Sequence, residues 1–561
     1  MEHGNVGEGG TDPVAAHALG WLVAGNLVGV WLALLLLRPE WGGIAGDMTY
    51  GRWVPVHLNI QLYGWCALPL VGWLFAAYQS HLGVSAKRCA YASVWGWSAA
   101  LACGCFAWLH GVTSGKIFLD WKGGALVAFV VALCWLWLAL AESWVELRNR
   151  WSLRKRFWTG LGLLALAAVP LAMWQAASPT VYPQFDRTTG GPTGSSLLGS
   201  TLGMVMILLL APLGLCGKSD ISARCRWLWW LWLAELVVFG VIEWCGGTHY
   251  DWWQILGLAL LAPWLWLVPY AWESYRWPVG AREWRIWVYI WWAVLIVSGW
   301  IDYLPEVLDR VKFTNGQVAH GHLAMAGFVS ALGMVLLVCV SDVATHLRGG
   351  VKMWNAAVAG YVSSMALCGW GEGGGHAWMS ELPEWRGGLL AVRLACGLVM
   401  LAVSLMWWWE EVDLPRWKFM AMRISKKTIG RWNLVVGLMD ASTGVLLAFL
   451  PSLALRLMGL HAPGPEGMTY LSWMGVFITA VGCSYFLALG EPKTLVETGK
   501  WQTVWKITAL ARGLVGAFVI WKIAAGVLES GWITVALTDW AVAGAQWFGL
   551  HRGWLDEGRE A

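Results

Sequence analysis

The apolar positions of this chain fall in long, nearly unbroken runs rather than in the one-sided stripes of water-facing helices. Runs of roughly 20 apolar residues are what a helix needs to cross the hydrocarbon of a bilayer. Twelve such runs predict spans at 13–37, 54–79, 89–110, 124–145, 157–175, 195–217, 225–246, 252–273, 284–301, 317–341, 353–371 and 388–409. Four more are expected near 431–450, 469–490, 503–526 and 531–549. The expected fold class is all-α: a polytopic membrane protein with a twelve-helix domain at 1–410, a basic linker at 411–430 and a four-helix membrane bundle at 431–561.

The charged positions between the runs predict orientation. Loops after even-numbered spans are basic: Lys87 and Arg88; Arg148, Arg150, Arg154, Lys155 and Arg156; Lys218, Arg224 and Arg226; Arg276, Arg282 and Arg285; Arg348 and Lys352; Arg416, Lys418, Arg423, Lys426 and Lys427. Loops after odd-numbered spans carry fewer basic residues, mostly offset by acids. This pattern predicts a cytoplasmic N-terminus. Residues 1–12 lack a basic leader, and the first run is long enough to remain a helix, so no cleaved signal peptide is expected.

Composition agrees, with 58% hydrophobic and 13% charged residues. Many of the 49 Trp stand near run ends, where indole rings suit the lipid headgroup zone. Others, such as Trp137, stand mid-span and are read as packing residues. A net charge of +4, spread along the chain, excludes nucleic acid as a partner and leaves membrane lipid. The 12 Cys are scattered through apolar runs and read as small buried hydrophobes. Cys103-Gly104-Cys105 lies mid-run with no second pair to complete a metal site.

The candidate chemistry centres on His320 and His322, in Phe313-Thr314-Asn315-Gly316-Gln317-Val318-Ala319-His320-Gly321-His322-Leu323-Ala324. Imidazoles inside a membrane helix are costly unless something binds them. Two residues apart, they point about 200° from one another around a helix, so one helix can serve two centres. His57 opens span two in Arg52-Trp53-Val54-Pro55-Val56-His57, at the same predicted depth. Two imidazoles from facing helices suit a low-spin haem. His57 with His322 is the expected pair, and His320 is the expected ligand of a second haem. The bland alternative is three core histidines bonded to backbone or water.

Arg-x-x-Pro-x-His in span two, His-x-His-Leu-Ala in span ten and the twelve-span layout resemble subunit I of the haem–copper oxidase superfamily. Phe313-Thr314 before the His pair, Thr113-Ser114-Gly115-Lys116 before span four, and His249-Tyr250 with Asp251-Trp252-Trp253-Gln254 at span eight are most similar to the branch of C-type (cbb) oxidases and nitric oxide reductases. The resemblance covers roughly residues 13–410. It implies two b-type haems near the outer face and electron exchange with a c-type cytochrome or another subunit there. It also implies the inner membrane of a bacterium. Cys-x-x-Cys-His is absent, so a c-type haem would come from a partner. Arg52, Lys312 and Arg386 stand where the family's haem propionates emerge, and equally suit headgroups. Asp120 resembles the acidic residue that helps hold calcium between propionates.

One departure changes the expected chemistry. The family binds a second metal, copper or non-haem iron, through a His on span six and a His-His pair after span seven. Span six here has no His, and Gly246 and Gly247 stand at the His-His positions. The cross-linked tyrosine of C-type oxidases is also missing from Val237 to Trp244. The copper site is therefore expected to be lost, and the expected role is electron transfer through haem b. His110, His249 and His376, with Glu235 and Glu243 eight residues apart on span seven, are the residues from which an iron or zinc site could be rebuilt. The plainer reading makes the His interfacial and pairs each Glu with a Trp N–H or a buried cation. The catalytic candidates are thus Glu235, Glu243 and His249, and the Glu also suit a proton path. The Gly-rich Gly371–His376 lacks the lysine and flanking elements of a phosphate loop. Two rival readings stay open: an active terminal oxidase or nitric oxide reductase with an unusual metal site, and a non-redox scaffold or transport protein that lost its cofactors.

Overall fold

Hydrocarbon offers no water to bond peptide groups, so a chain of apolar runs must satisfy its backbone within each run, as a helix does. The computed structural model describes residues 13–45, 49–178, 197–218, 225–245, 251–341, 349–374, 384–412, 426–458, 460–489, 495–524, 526–551 and 554–555. Helices occupy all sixteen expected positions. The strand content among the described residues is a two-residue antiparallel ladder pairing Gly217 with Arg276 and Lys218 with Tyr275. The protein is an all-α integral membrane protein: 12 helices among the described residues are long and apolar enough to cross a bilayer.

Four expected spans are helices that fall outside that set: Leu197–Leu215, Arg226–Cys245, Val351–Glu372 and Ile533–His551. Two of them show why. Arg226–Cys245 carries Arg226, Glu235 and Glu243, and Val351–Glu372 carries Asn355, paired serines and four glycines. Two spans are also broken. Span five is Leu153–Ala167 and Val169–Ala176, with Pro170 beside the break, and span eight is Trp252–Ala259 and Trp264–Glu273, with Pro263 there. Proline removes the N–H that a continuous helix would use.

Tertiary contacts divide the chain into two compact units, Met1–Leu414 and Pro415–Ala561. In the first, span ten (Asn315–Val340) is the central rod: 67% of its most apolar window is buried, against 6% for span five. Every residue from Ser330 to Val338 is buried. The second unit has its own small cores, one around Ile429, Trp501 and Trp505 and one around Leu447, Leu455 and Leu471.

Spans two and ten share an irregularity. Span two runs as α-helix over Tyr50–Asn59, then opens into a π-helical turn over Ile60–Cys66. Span ten does the same, from Asn315–His322 into Leu323–Val329. A π-turn loosens the regular carbonyl pairing, and side chains take part of the load. Trp97 Nε1 donates to Tyr63 O at 2.8 Å, Ser330 Oγ to Met325 O at 2.8 Å and Trp354 Nε1 to Ala326 O at 3.2 Å. Trp65 Nε1 donates to Ser330 Oγ at 2.8 Å and ties the two spans together. Such turns are frequent at functional sites. Here each begins within three residues of an imidazole.

Much of the tryptophan content serves the same purpose in the interior. Trp137, Trp272, Trp292 and Trp407 donate their indole N–H to Leu163 O, Leu208 O, Trp264 O and Gly349 O. A buried indole brings large apolar area and needs one acceptor, which a neighbouring helix supplies.

Candidate functional site

Spans one, two, ten, eleven and twelve build the site around His57 and His322. Gly25 and Gly29 of span one, four residues apart, form a small-residue face of the kind that lets membrane helices approach closely. A Cβ at Gly29 would stand 2.9 Å from His57 Cε1, and one at Gly25 would stand 2.7 Å from Gln61 Nε2. The space these glycines leave is filled by His57, whose Nδ1 pairs with Gly25 O at 2.9 Å. Asn26 beside them donates to Ser404 Oγ of span twelve at 3.0 Å and accepts from Gln61 Nε2 at 3.2 Å.

His322 is held by its own helix: Nδ1 pairs with Val318 O at 2.8 Å. Tyr361 of span eleven stacks on it, with ring centroids 4.4 Å apart. The two imidazoles face each other with centroids 6.2 Å apart and planes 21° apart. In both rings the Nδ1 pairs with a backbone carbonyl, which fixes the tautomer and leaves Nε2 as the lone-pair nitrogen.

Arg393 of span twelve completes the surroundings. It is buried at 7% exposure, with its guanidinium over the Tyr361 ring. Nη1 reaches Asn315 Oδ1 at 3.3 Å, while Nε is buried without a hydrogen-bond partner. No carboxylate lies within ion-pair distance of it among the described residues. A buried, uncompensated cation is expensive and is the natural counterpart of an anionic ligand group.

His320 points to the other flank of span ten, as its two-residue offset predicts. It packs on Gly299 of span nine, and its Nδ1 stands 3.3 Å from Asp302 Oδ2, a distance that does not close into a hydrogen bond. A carboxylate beside the outer nitrogen of a ligating His raises its basicity. Asp302 and Arg393 both escape a reading by motif. The signal that could have found them is an ionisable residue inside or at the edge of an apolar run.

The remaining candidates separate. Arg386 donates to Glu372 Oε1 at 2.7 Å, so its charge is already answered. Arg52 donates to Leu109 O at 3.0 Å, and Lys312 lies over the Phe313 ring. Both oxygens of Asp120 are engaged, by Asn59 Nδ2 and Thr113 Oγ1 at 2.7 Å each. Burial nonetheless pushes its carboxyl above the usual range, the two hydrogen bonds opposing that shift. Glu235 accepts from Trp264 Nε1, the plainer of its two expected roles. His110 is exposed and bonded to Phe106 O of its own helix. His249, His376, Gly246 and Gly247, and the side chain of Glu243, lie outside the described residues, as does most of the basic stretch 411–430. Among the described residues no group of three or more His, Cys, Asp or Glu could hold a metal ion.

Below the imidazoles, a cavity of about 390 Å³ lies between the two π-turns and spans four to six, lined by Leu62, Cys66, Phe129, Met173, Met204 and Met325 among others. Its walls are almost wholly apolar, which suits gas or hydrocarbon better than water.

Comparison with the models of known protein families finds no match for this chain, and no curated protein matches it.

Proposed function

We propose that this chain is a haem b-binding electron-transfer subunit of a respiratory-type complex in a bacterial inner membrane, with its N-terminus cytoplasmic. One observation carries the reading: His57 and His322, on separate spans, have ring centroids 6.2 Å apart and both Nδ1 atoms committed to carbonyls. An imidazole nitrogen binds a transition metal at about 2 Å and lies about 1.1 Å from its ring centre, so two axial ligands of one metal need centroids about 6 Å apart. The observed spacing meets that requirement. The buried, partly unpartnered guanidinium of Arg393 fits a propionate, a group that haem brings and lipid tails do not.

In this reading His57 and His322 are the axial ligands of one haem, and Gly25 O and Val318 O orient them. Arg393 holds a propionate and adds positive charge beside the iron. His320, backed by Asp302, holds a second haem on the opposite flank. Bound haem supplies a one-electron couple, and the protein sets its potential through ligands, charge and burial. The electron partner is a c-type cytochrome or another subunit at the outer side.

A reduced-minus-oxidised optical spectrum of the purified chain tests the proposal. Sharp b-type bands are expected, reduced by half or more in both His57→Ala and His322→Ala. A colourless chain from haem-replete cells, or bands untouched by both substitutions, would overturn it.

A further inference from the structure

The four-helix unit contains a charged cluster that the haem reading does not use. Arg512, on Leu495–Ala524, is 5% exposed. Its Nη2 is paired with Asp440 Oδ2 on Lys426–Phe449, and its Nη1 with Asp539 Oδ1 on Ile533–His551. Its Nε donates to the hydroxyl of Tyr485, a residue with no exposure, at 3.3 Å. These four groups come from all four helical segments of the unit. No second cation lies within ion-pair distance of either carboxylate among the described residues.

The charges do not balance. One guanidinium, which stays protonated, faces two carboxylates, leaving one negative charge in excess inside a membrane bundle. An uncompensated charge there is costly, and protonation is the cheapest remedy. Gln546 points independently to exchangeable hydrogen at the same place. It is fully buried, and its Nε2 donates to Tyr485 Oη at 3.0 Å and Thr508 Oγ1 at 2.8 Å, while its Oε1 has no donor. Asn433, equally buried in this unit, shows the contrast: its amide donates to Ala488 O and its oxygen accepts from Trp505 Nε1. Asn433 is a closed structural bridge, whereas the Arg512 cluster has an acceptor left over and a charge left over.

We propose that Asp440 and Asp539 share one exchangeable proton against Arg512, making the four-helix unit an intramembrane proton-binding site with Tyr485 and Gln546 beside it. Uptake turns one carboxylate into a carboxylic acid and takes the triad from a net charge of −1 to neutral; release reverses it. Tyr485 is the other titratable group against the cluster.

The test is infrared spectroscopy of the full chain in lipid nanodiscs, perfused between acidic and alkaline buffer, with and without ¹³C-aspartate. A label-shifted, deuterium-sensitive carboxylic acid band is expected in the native chain. It should vanish in Asp440→Asn or Asp539→Asn and move in Tyr485→Phe, which keeps the packing and both acids. Absence of any label-shifted acid band in the native chain overturns the proposal. So does a band unchanged in all three variants, since both carboxylates would then be ionised partners of a static ion triad.

Discussion

Gly369→Ala tests how the ends of spans ten and eleven meet, and so how His322 is held against Tyr361. Gly369 lies against the first turn of span ten. An added Cβ would fall inside the contact radii of Gly316 N and Cα and 2.8 Å from the Asn315 carbonyl carbon. Carbon atoms pack at about 3.5–4 Å, and the obstacle is backbone that cannot swing aside. The two spans must therefore part by about 1 Å. That movement also loosens the bonds from Asn315 N and Nδ2 to Glu372 Oε2, 2.8 and 3.0 Å long. Overpacking of this kind costs about 3 kcal/mol, or roughly a hundredfold in the folded population. Gly387 and Gly388 provide the control, because a Cβ at either meets nothing within 4 Å. Alanine there lifts the helix penalty of glycine, worth up to about 1 kcal/mol. Thermal unfolding in nanodiscs, followed by tryptophan fluorescence, should show a large fall in midpoint for Gly369→Ala and none for Gly388→Ala. A Gly369→Ala protein that melts with the native chain would refute the close approach and the placement of Tyr361 on His322 that depends on it.

Three further outcomes are expected. Arg393→Gln should keep haem bound but lower its midpoint potential, because removing a nearby positive charge favours the oxidised state; a redox titration showing no shift or a rise counts against Arg393 beside the haem. Trp65→Phe should destabilise the chain by about 1–2 kcal/mol, from the lost bond to Ser330 Oγ and the space left by the smaller ring, and an unchanged melting point would contradict that tie. Asp120 has its carboxyl raised by burial, so its contribution to stability is full below the ordinary carboxylate pKa of about 4 and is lost as pH rises through the folded value. Asp120→Asn should flatten that slope in melting curves taken from pH 4 upward, and an identical slope in both proteins would remove Asp120 as its source.

The all-α membrane architecture was legible because hydrocarbon leaves so few alternatives: run length alone predicts helices, and sixteen were found. His57, His320 and His322 were legible as imidazoles at matched depth, and the offset of two residues correctly put His320 on a different flank. Their surroundings were not legible. Arg393 is one basic residue among the leucines and valines of span twelve, and its burial under Tyr361 depends on the packing of two other spans. Asp302 stands one residue past the expected end of span nine, where it read as interfacial. The cluster in the second unit was hidden most completely. Asp440, Arg512 and Asp539 each look like a single tolerated charge, up to 99 residues apart, and only three-dimensional packing puts them in contact. Glu235 shows the converse: the plain expectation of a Trp N–H partner described it fully.

The paired π-turns have a consequence for how mutations should distribute. Each widened turn acts as a joint, below which the rod resumes a regular course that is rotationally offset from the part above. Removing a single residue from Leu323–Val329 would restore ordinary pitch and swing the lower half of the rod by about 100°, burying a different set of side chains in the centre of the bundle. Changes of identity are therefore tolerable in these two segments, while changes of length are not, and the two segments can lengthen or shorten only in concert.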